Sequence, residues 1–186
     1  MKYIFEIIWI CWLLSEVLLN RLVRSKNAES KELDKNPLSL IWIAIVVSMT
    51  LGILIVIYWA APMVYTNLLL YLGSVLILVG MIIRFIAVIT LGKFFTVNLA
   101  VHGNHRLIKT GLYKHIRHPS YSGSLLSFVG FGLSLNNWIS LIIILVPILV
   151  TFINRINIEE KLLLGQFGSE YEEYKKKSKR LIPMIY

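Results

Sequence analysis

Long apolar runs separated by short charged segments constrain this chain more than any other feature. A helix that crosses the hydrocarbon core of a bilayer needs about 20 mainly apolar residues. Three such runs are easily delimited, at 3–19, 38–60 and 67–91. With 57% hydrophobic residues and a mean hydropathy of +0.72, the chain is too apolar for a soluble domain of its size. We therefore predict one polytopic membrane domain over 1–186.

A fourth apolar region, 121–154, is too long for one span and too short for two spans with a loop between them. Asn136-Asn137 lies near its middle and is a good turn candidate. We predict a helical hairpin of two spans, 120–135 and 138–156, and hence five transmembrane helices in an all-α protein. Apolar residues three and four apart predict a further, cytosolic C-terminal helix over 157–179.

Three charged residues fall inside the first three predicted spans. Glu6 and Glu16 lie near the two ends of the first run, where a carboxylate can reach the interface. These acids, and the lack of a small-residue cleavage site, indicate a retained transmembrane helix and not a signal peptide. Arg84 lies about 10 Å from the end of the third run. Its side chain could extend to the interface or face the interior of the bundle.

The placement of basic residues predicts the topology. Segments 20–37 and 92–119 and the tail from 155 hold 17 of the 19 Lys and Arg residues. The opposite connections, 61–66 and 136–137, hold none. The positive-inside rule then places the N-terminus outside and the C-terminus in the cytosol, in a multi-pass membrane protein. It also accounts for the net charge of +9 without a nucleic-acid partner.

The densest polar sequence is Gly111–Gly123, between two apolar runs. Pro119 suits the first position of a helix, and the unpaired amides at a helix start attract an anionic group. Tyr113 and Tyr121 offer flat faces for a ring. The four His residues of the loop have no helical metal-ligand spacing and no accompanying acid, so we expect no metal site.

A second polar cluster, Arg155 with Glu159 and Glu160, ends the last apolar run. Arg155 and Glu159 are four residues apart and share one helix face. A simple salt bridge would explain the pair. A pocket between spans four and five would instead combine a carboxylate, a guanidinium, helix-start amides and aromatic faces. That set of groups fits a zwitterionic, nucleotide-like ligand together with an anionic amphiphile.

At these residues the chain resembles the isoprenylcysteine carboxyl methyltransferase family and its phospholipid methyltransferase relatives, over roughly 84–186. The matching segments are His105-Arg106-Leu107-Ile108, Gly111-Leu112-Tyr113, Arg117–Gly123, Arg155 with Glu159-Glu160, and Phe167-Gly168 with Glu170-Tyr171 and Tyr174. The resemblance implies a membrane methyltransferase that uses S-adenosylmethionine. It implies a lipophilic or prenylated substrate, small molecule or protein, and carboxyl O-methylation of an isoprenylcysteine-like carboxylate.

The resemblance also implies roles for individual residues. The loop 92–119 would bind the cofactor, and Glu159 would hold the cofactor's ammonium group. Arg155 would be both the substrate-binding and the catalytic residue, because it would meet the substrate's carboxylate. The remaining cofactor-lining positions would be His105, Arg106, Leu107, Ile108, Tyr113, His118, Pro119, Ser120 and Tyr121.

Three alternatives remain open from the sequence. Sterol reductases, which use NADPH, carry a similar Arg-His-Pro-x-Tyr segment and a similar tail, here Arg180–Tyr186. They are longer, and the Glu159-Glu160 pair favours the methyltransferase. Phospholipid N-methylation is a second alternative. The third is a membrane scaffold without enzymatic activity, whose basic face recruits anionic lipid.

Overall fold

The computed structural model describes residues 2–22, 37–59, 61–64, 67–92 and 107–182. These residues form six α-helices, and Gly111–Lys114 forms a single 3₁₀ turn between the third and fourth. The helices are α1 (Lys2–Leu22), α2 (Pro37–Tyr58), α3 (Leu68–Leu91), α4 (Pro119–Ser134), α5 (Trp138–Phe167) and α6 (Ser169–Lys177).

The all-α membrane architecture predicted from the apolar runs is confirmed. Within the described residues, α2, α3 and α5 are each long and apolar enough to cross a bilayer. Most of their outward side chains are large and hydrophobic, as helices surrounded by lipid require. The count of five spans, with α1 and α4 as the other two, stays a prediction.

The last predicted span, 138–156, and the first part of the predicted C-terminal helix, 157–179, belong to one continuous helix that ends at Phe167. The position of the membrane boundary at residues 156 and 157, where the sequence changes from apolar to charged, stays a prediction. Charged residues with good helix propensity change the surroundings of a helix and do not end it. The break comes at Gly168, whose φ of +49° is a left-handed conformation that favours glycine.

The predicted turn at Asn136-Asn137 is present, and both amides have structural roles. Asn137 caps α5 by accepting hydrogen bonds at Oδ1 from the backbone of Ile139 and Ser140. Asn136 Oδ1 accepts from the backbone N–H groups of Met63 and Val64, each at 3.1 Å. The α2–α3 and α4–α5 connections therefore lie together, at the end of the bundle away from the charged clusters.

Two pairs of glycines bring the backbones of α3 and α4 into direct contact. Gly80 packs against Gly123, and Gly73 packs against Gly130. A Cβ atom built on Gly123 would lie 2.6 Å from the Gly80 carbonyl oxygen and 2.8 Å from the backbone nitrogen of Arg84. Because glycine has no side chain, the two helix backbones can approach this closely. Such close contacts at small residues are common in membrane bundles, where packing drives helix association.

Aromatic side chains fill the centre of the bundle and hold α1 in place. Trp12 is fully buried and packs edge-on against Phe128, with ring centroids 5.0 Å apart. Its ring also lies 5.7 Å from that of Phe131. The edge-to-face pair with Phe128 adds favourable electrostatics to the buried area. The first helix is thus packed against the helix that begins at His118-Pro119.

We expect Gly123→Ala to lower the free energy of unfolding by about 3 kcal/mol, the upper range for overpacking, because a methyl group would collide with rigid backbone. Gly165→Ala is the matched control, since its Cβ would meet nothing within 4 Å. That change should be neutral or stabilise α5 by about 1 kcal/mol. Thermal and denaturant unfolding in detergent micelles measures both. Equal effects of the two substitutions would contradict direct contact between α3 and α4.

Candidate ligand site at the start of α4

The backbone before α4 pairs with the chain that follows α6. Arg117 N–H donates to the Lys179 carbonyl at 2.8 Å, and Lys179 N–H donates to the His115 carbonyl at 2.9 Å. His118 N–H donates to the Arg180 carbonyl at 3.1 Å. Segments more than 60 residues apart are thereby joined next to the first turn of α4. This pairing was not foreseen, because an isolated two-residue bridge has no sequence pattern of its own.

Glu160 is the acid that holds this junction together. Its carboxylate accepts from Arg117 Nε at 2.9 Å and from Arg180 Nη2 at 2.7 Å, and lies 3.3 Å from His118 Nε2. The side chain is only 7% exposed. Hydrogen bonds to charged groups are stronger than neutral ones. Glu160 therefore has its full complement of partners inside the protein, and its role is to join α5 to both α4 and the tail.

Glu159, the neighbouring acid, has a different environment. Its side chain is 32% exposed, and its carboxylate lies 3.8 Å from His118 Nδ1. That separation is too long for a hydrogen bond. Glu159 thus presents a carboxylate that an external cation can reach, next to the Arg-His-Pro segment.

Arg155 and Tyr121 lie on the side of the site that faces the buried interior of the bundle. Arg155 is only 3% exposed and hydrogen-bonds with the side chain of Tyr121. The Tyr121 ring contacts His118 and Phe152, with centroids 5.8 and 5.2 Å away. A buried guanidinium beside three rings in edge-to-face contact is an arrangement that could bind an anion at the end of an apolar substrate.

Tyr113 borders the same region from the 3₁₀ turn. It is buried, and its backbone carbonyl accepts a hydrogen bond from the Tyr174 hydroxyl at 2.6 Å. Burial, and next the negative charge of Glu159, raises the pKa of the Tyr113 hydroxyl. Tyr113 is therefore neutral near pH 7. The contact also accounts for part of the apolar stripe of the C-terminal region, since Tyr174 is buried against this turn and its ring lies 6.1 Å from that of the buried Tyr171.

The other predicted site residues are distributed as follows. Pro119 is buried at the first position of α4, where its fixed φ suits a helix start. Ser120 faces α3, because its hydroxyl accepts from Arg84 Nη1 at 3.2 Å. Leu107 and Ile108 are half-buried in the stretch before the 3₁₀ turn. His105 and Arg106 lie outside the described residues. The cofactor-lining role of all these positions stays a prediction.

An ion pair between α1 and α3 was missed. Arg84 Nη2 lies 2.8 Å from Glu16 Oε2, and Arg84 Nη1 donates to Ser124 Oγ at 2.5 Å. The expectation that Glu16 reaches the interface is wrong: its side chain is 13% exposed and turns inward. Arg84 faces the interior as well. Two opposite charges in different spans were the available signal, since each is costly in an apolar bundle unless paired.

The fold and the site define an integral membrane protein with a mixed-charge ligand site at one end of a helical bundle. A model of the isoprenylcysteine carboxyl methyltransferase family matches residues 72–165, half of the chain, which includes α4 and nearly all of α5. The chain belongs to this family. The resemblance inferred from its motifs is confirmed.

Several relatives show the same similarity. The chain is 39% identical over 117 residues to a probable protein-S-isoprenylcysteine O-methyltransferase of Oryza sativa, which covers 62% of this chain and 61% of that protein. It is 40% identical over 122 residues to the protein-S-isoprenylcysteine O-methyltransferase of Saccharomyces cerevisiae, over 64% of this chain and 51% of that one. The chain thus matches between about half and three fifths of the length of these relatives.

A solved structure is also similar. It is that of a eukaryotic intramembrane Ras methyltransferase, an isoprenylcysteine carboxyl methyltransferase. The TM-score is 0.62 at 29% sequence identity, and the match covers 77% of this chain and 52% of that one. The similarity extends beyond the residues that the family model matches, so the shared fold includes more than α3 to α5.

The two neighbouring acids allow a closely matched test. Glu160→Gln removes the charge that faces Arg117, Arg180 and His118, and we expect it to lower the free energy of unfolding by about 3 kcal/mol. Glu159→Gln should lower it by less than about 1 kcal/mol, because that side chain is partly exposed. Denaturant unfolding in micelles measures both. Equal losses would show that the two carboxylates do not have separate roles.

Proposed function

We propose that this protein transfers a methyl group from S-adenosylmethionine to a lipophilic or prenylated acceptor, by carboxyl O-methylation of an isoprenylcysteine-like carboxylate. The observation that carries the proposal is the contrast between two adjacent acids. Glu160 is enclosed by three partners, whereas Glu159 is accessible beside a buried arginine. A site for a zwitterionic ligand and an anionic acceptor needs a reachable carboxylate with a guanidinium close to it.

The residues present fit the cofactor. S-adenosylmethionine, when bound, supplies an activated methyl group on a positively charged sulfur. Glu159 offers a carboxylate to the ammonium group of its amino-acid part. The free backbone N–H groups at the start of α4, with the positive end of the helix dipole, offer partners to its carboxylate. Tyr113 and Tyr121 offer aromatic surface, and the protonated Tyr113 cannot compete as a nucleophile.

Arg155 would orient the acceptor. A carboxylate with an ordinary pKa is already ionised near pH 7, so the reaction needs no general base. Catalysis then requires that the acceptor carboxylate be held in line with the methyl group and the sulfur, and that water be excluded. Arg155 is buried and held through Tyr121, so its guanidinium has little freedom. Its positive charge favours a carboxylate over a protonated amine, and this supports carboxyl methylation over phospholipid N-methylation.

The Glu159→Gln variant should bind S-adenosylhomocysteine about tenfold more weakly than the native protein, because one charge-assisted contact is lost. Calorimetric titration in micelles measures the affinity. Glu172→Gln on α6 is the matched control, since Glu172 is exposed and lies outside the site. Equal affinity in the Glu159 and Glu172 variants would count against the proposed role of Glu159.

The same titration separates methyl transfer from a reductase activity. We expect saturable binding of S-adenosylhomocysteine and no binding of NADPH at the same concentrations. An NADPH complex without an S-adenosylhomocysteine complex would replace the proposal with the reductase alternative. Absence of both would support the scaffold alternative.

Arg155→Ala should reduce kcat/KM for an N-acetylated farnesylcysteine by about 100-fold, since the acceptor loses its charged partner. The affinity for S-adenosylhomocysteine should change by less than about threefold, because we assign the cofactor to other groups. The ratio of the two effects is the decisive measurement. Parallel loss of cofactor affinity and turnover would place Arg155 in the cofactor site instead.

A further inference from the structure

A basic groove of about 430 Å³ lies between α6, the chain that follows it, and the segment before α4. It is lined by one carboxylate, Glu160, and by six basic side chains: Arg117, Lys175, Lys176, Lys177, Lys179 and Arg180. Its volume is within the usual range for small-molecule sites. None of Tyr121, Arg155 and Glu159 lines it, so it is separate from the proposed methyl-transfer site.

The groove has a large excess of positive charge. Glu160 is already bound to Arg117 and Arg180. The four lysines are exposed, and no acid among the described residues lies within ion-pair distance of them. Lys109, by contrast, is neutralised by Glu170 at 2.7 Å. Unbalanced like charges repel one another at this distance, so the fold carries an electrostatic cost that an anion in the groove would remove.

One side of the groove is rigid. Arg117 is fixed at three points, because its Nε donates to Glu160 and its Nη1 donates to the carbonyls of Lys175 and Ser178. A guanidinium held in this way loses little further entropy when it binds an oxyanion. The lysines supply flexible ammonium groups around it. A fixed guanidinium with surrounding ammonium groups suits a phosphate group.

The position of the groove indicates where the phosphate would come from. Lys179 and Arg180 pair with the backbone immediately before α4. One residue further on, the Leu181 carbonyl accepts from Ser122 Oγ at 2.5 Å, and the Leu181 side chain is buried. The groove therefore lies at the end of a helix that we expect to span the bilayer, at the level of lipid headgroups.

We propose that the basic groove binds the phosphate group of an anionic phospholipid headgroup. A free phosphate ion presents the same charged oxygens and could also bind there. Binding at this point would neutralise the lysines next to Arg117 and stabilise the junction that Glu160 maintains. The proposal does not depend on methyl transfer, and its test measures binding alone.

Native mass spectrometry of the full chain released from micelles tests the lipid. We expect phosphatidylglycerol to be retained with about tenfold higher affinity than phosphatidylcholine. Lys175→Gln with Lys179→Gln should remove most of that preference. Lys114→Gln with Lys161→Gln is the control of equal charge change, since both are exposed and lie outside the groove. Equal loss in the two double variants would show diffuse attraction to the basic face and would overturn the proposal.

A second measurement identifies the source of the phosphate and guards against misfolding. Unfolding midpoints are recorded in lipid-free micelles with phosphate or chloride at equal ionic strength, and then with each lipid. Stabilisation by phosphatidylglycerol beyond that by free phosphate supports the lipid. Stabilisation by free phosphate alone, lost in the groove variant, rejects the lipid in favour of a soluble phosphate. If neither stabilises the native chain and the groove variant melts at the same temperature as the control, the groove has no phosphate site.

Discussion

The cost of leaving a charge without a partner in an apolar bundle determines how this protein is put together. Glu160 lies where α5 leaves its apolar segment, and it is stable there only because Arg117, Arg180 and His118 surround it. Two of those partners come from the segment before α4 and one from the chain after α6. The same constraint pairs Glu16 with Arg84 across α1 and α3. Charge satisfaction therefore sets the positions of four helices and of the tail.

The first turn of α4 is held from both sides by these contacts. On one side Arg84 donates to the hydroxyls of Ser120 and Ser124, and the Gly80–Gly123 contact lets α3 approach closely enough for it to do so. On the other side His118 faces Glu160 and Glu159. A ligand site built on a helix start needs such support, because its backbone N–H groups are useful only when their direction is fixed. Rigidity here comes from neighbours and not from α4 itself.

Two adjacent carboxylates on α5 thus acquire different roles from their surroundings alone. Glu160 points into the junction and stabilises it, while Glu159 is partly exposed next to the Arg-His-Pro segment. The basic groove shares Arg117 and Glu160 with the junction. A lipid headgroup bound there would act on the same residues that hold His118, so the groove and the proposed site are physically connected without sharing a ligand. The membrane would then contribute to the order of the site as well as to the solubility of the substrate.

The sequence by itself determined the all-α membrane class, the Asn136-Asn137 turn and the family, because hydrophobic length, turn chemistry and short motifs are local properties. It also brought Arg155 and Glu159 together with the Arg-His-Pro segment. The family resemblance pointed to Glu159 for the cofactor, but the contacts of Glu160 could not be predicted, since one helical step decides which carboxylate meets the tail. The Glu16–Arg84 pair and the pairing of Lys179 with the α4 start were likewise decided only in the tertiary structure. Each contact depends on which residues, distant in sequence, come within about 3 Å of each other. Periodicity can be recognised in a short stretch of sequence, but contacts between distant segments cannot.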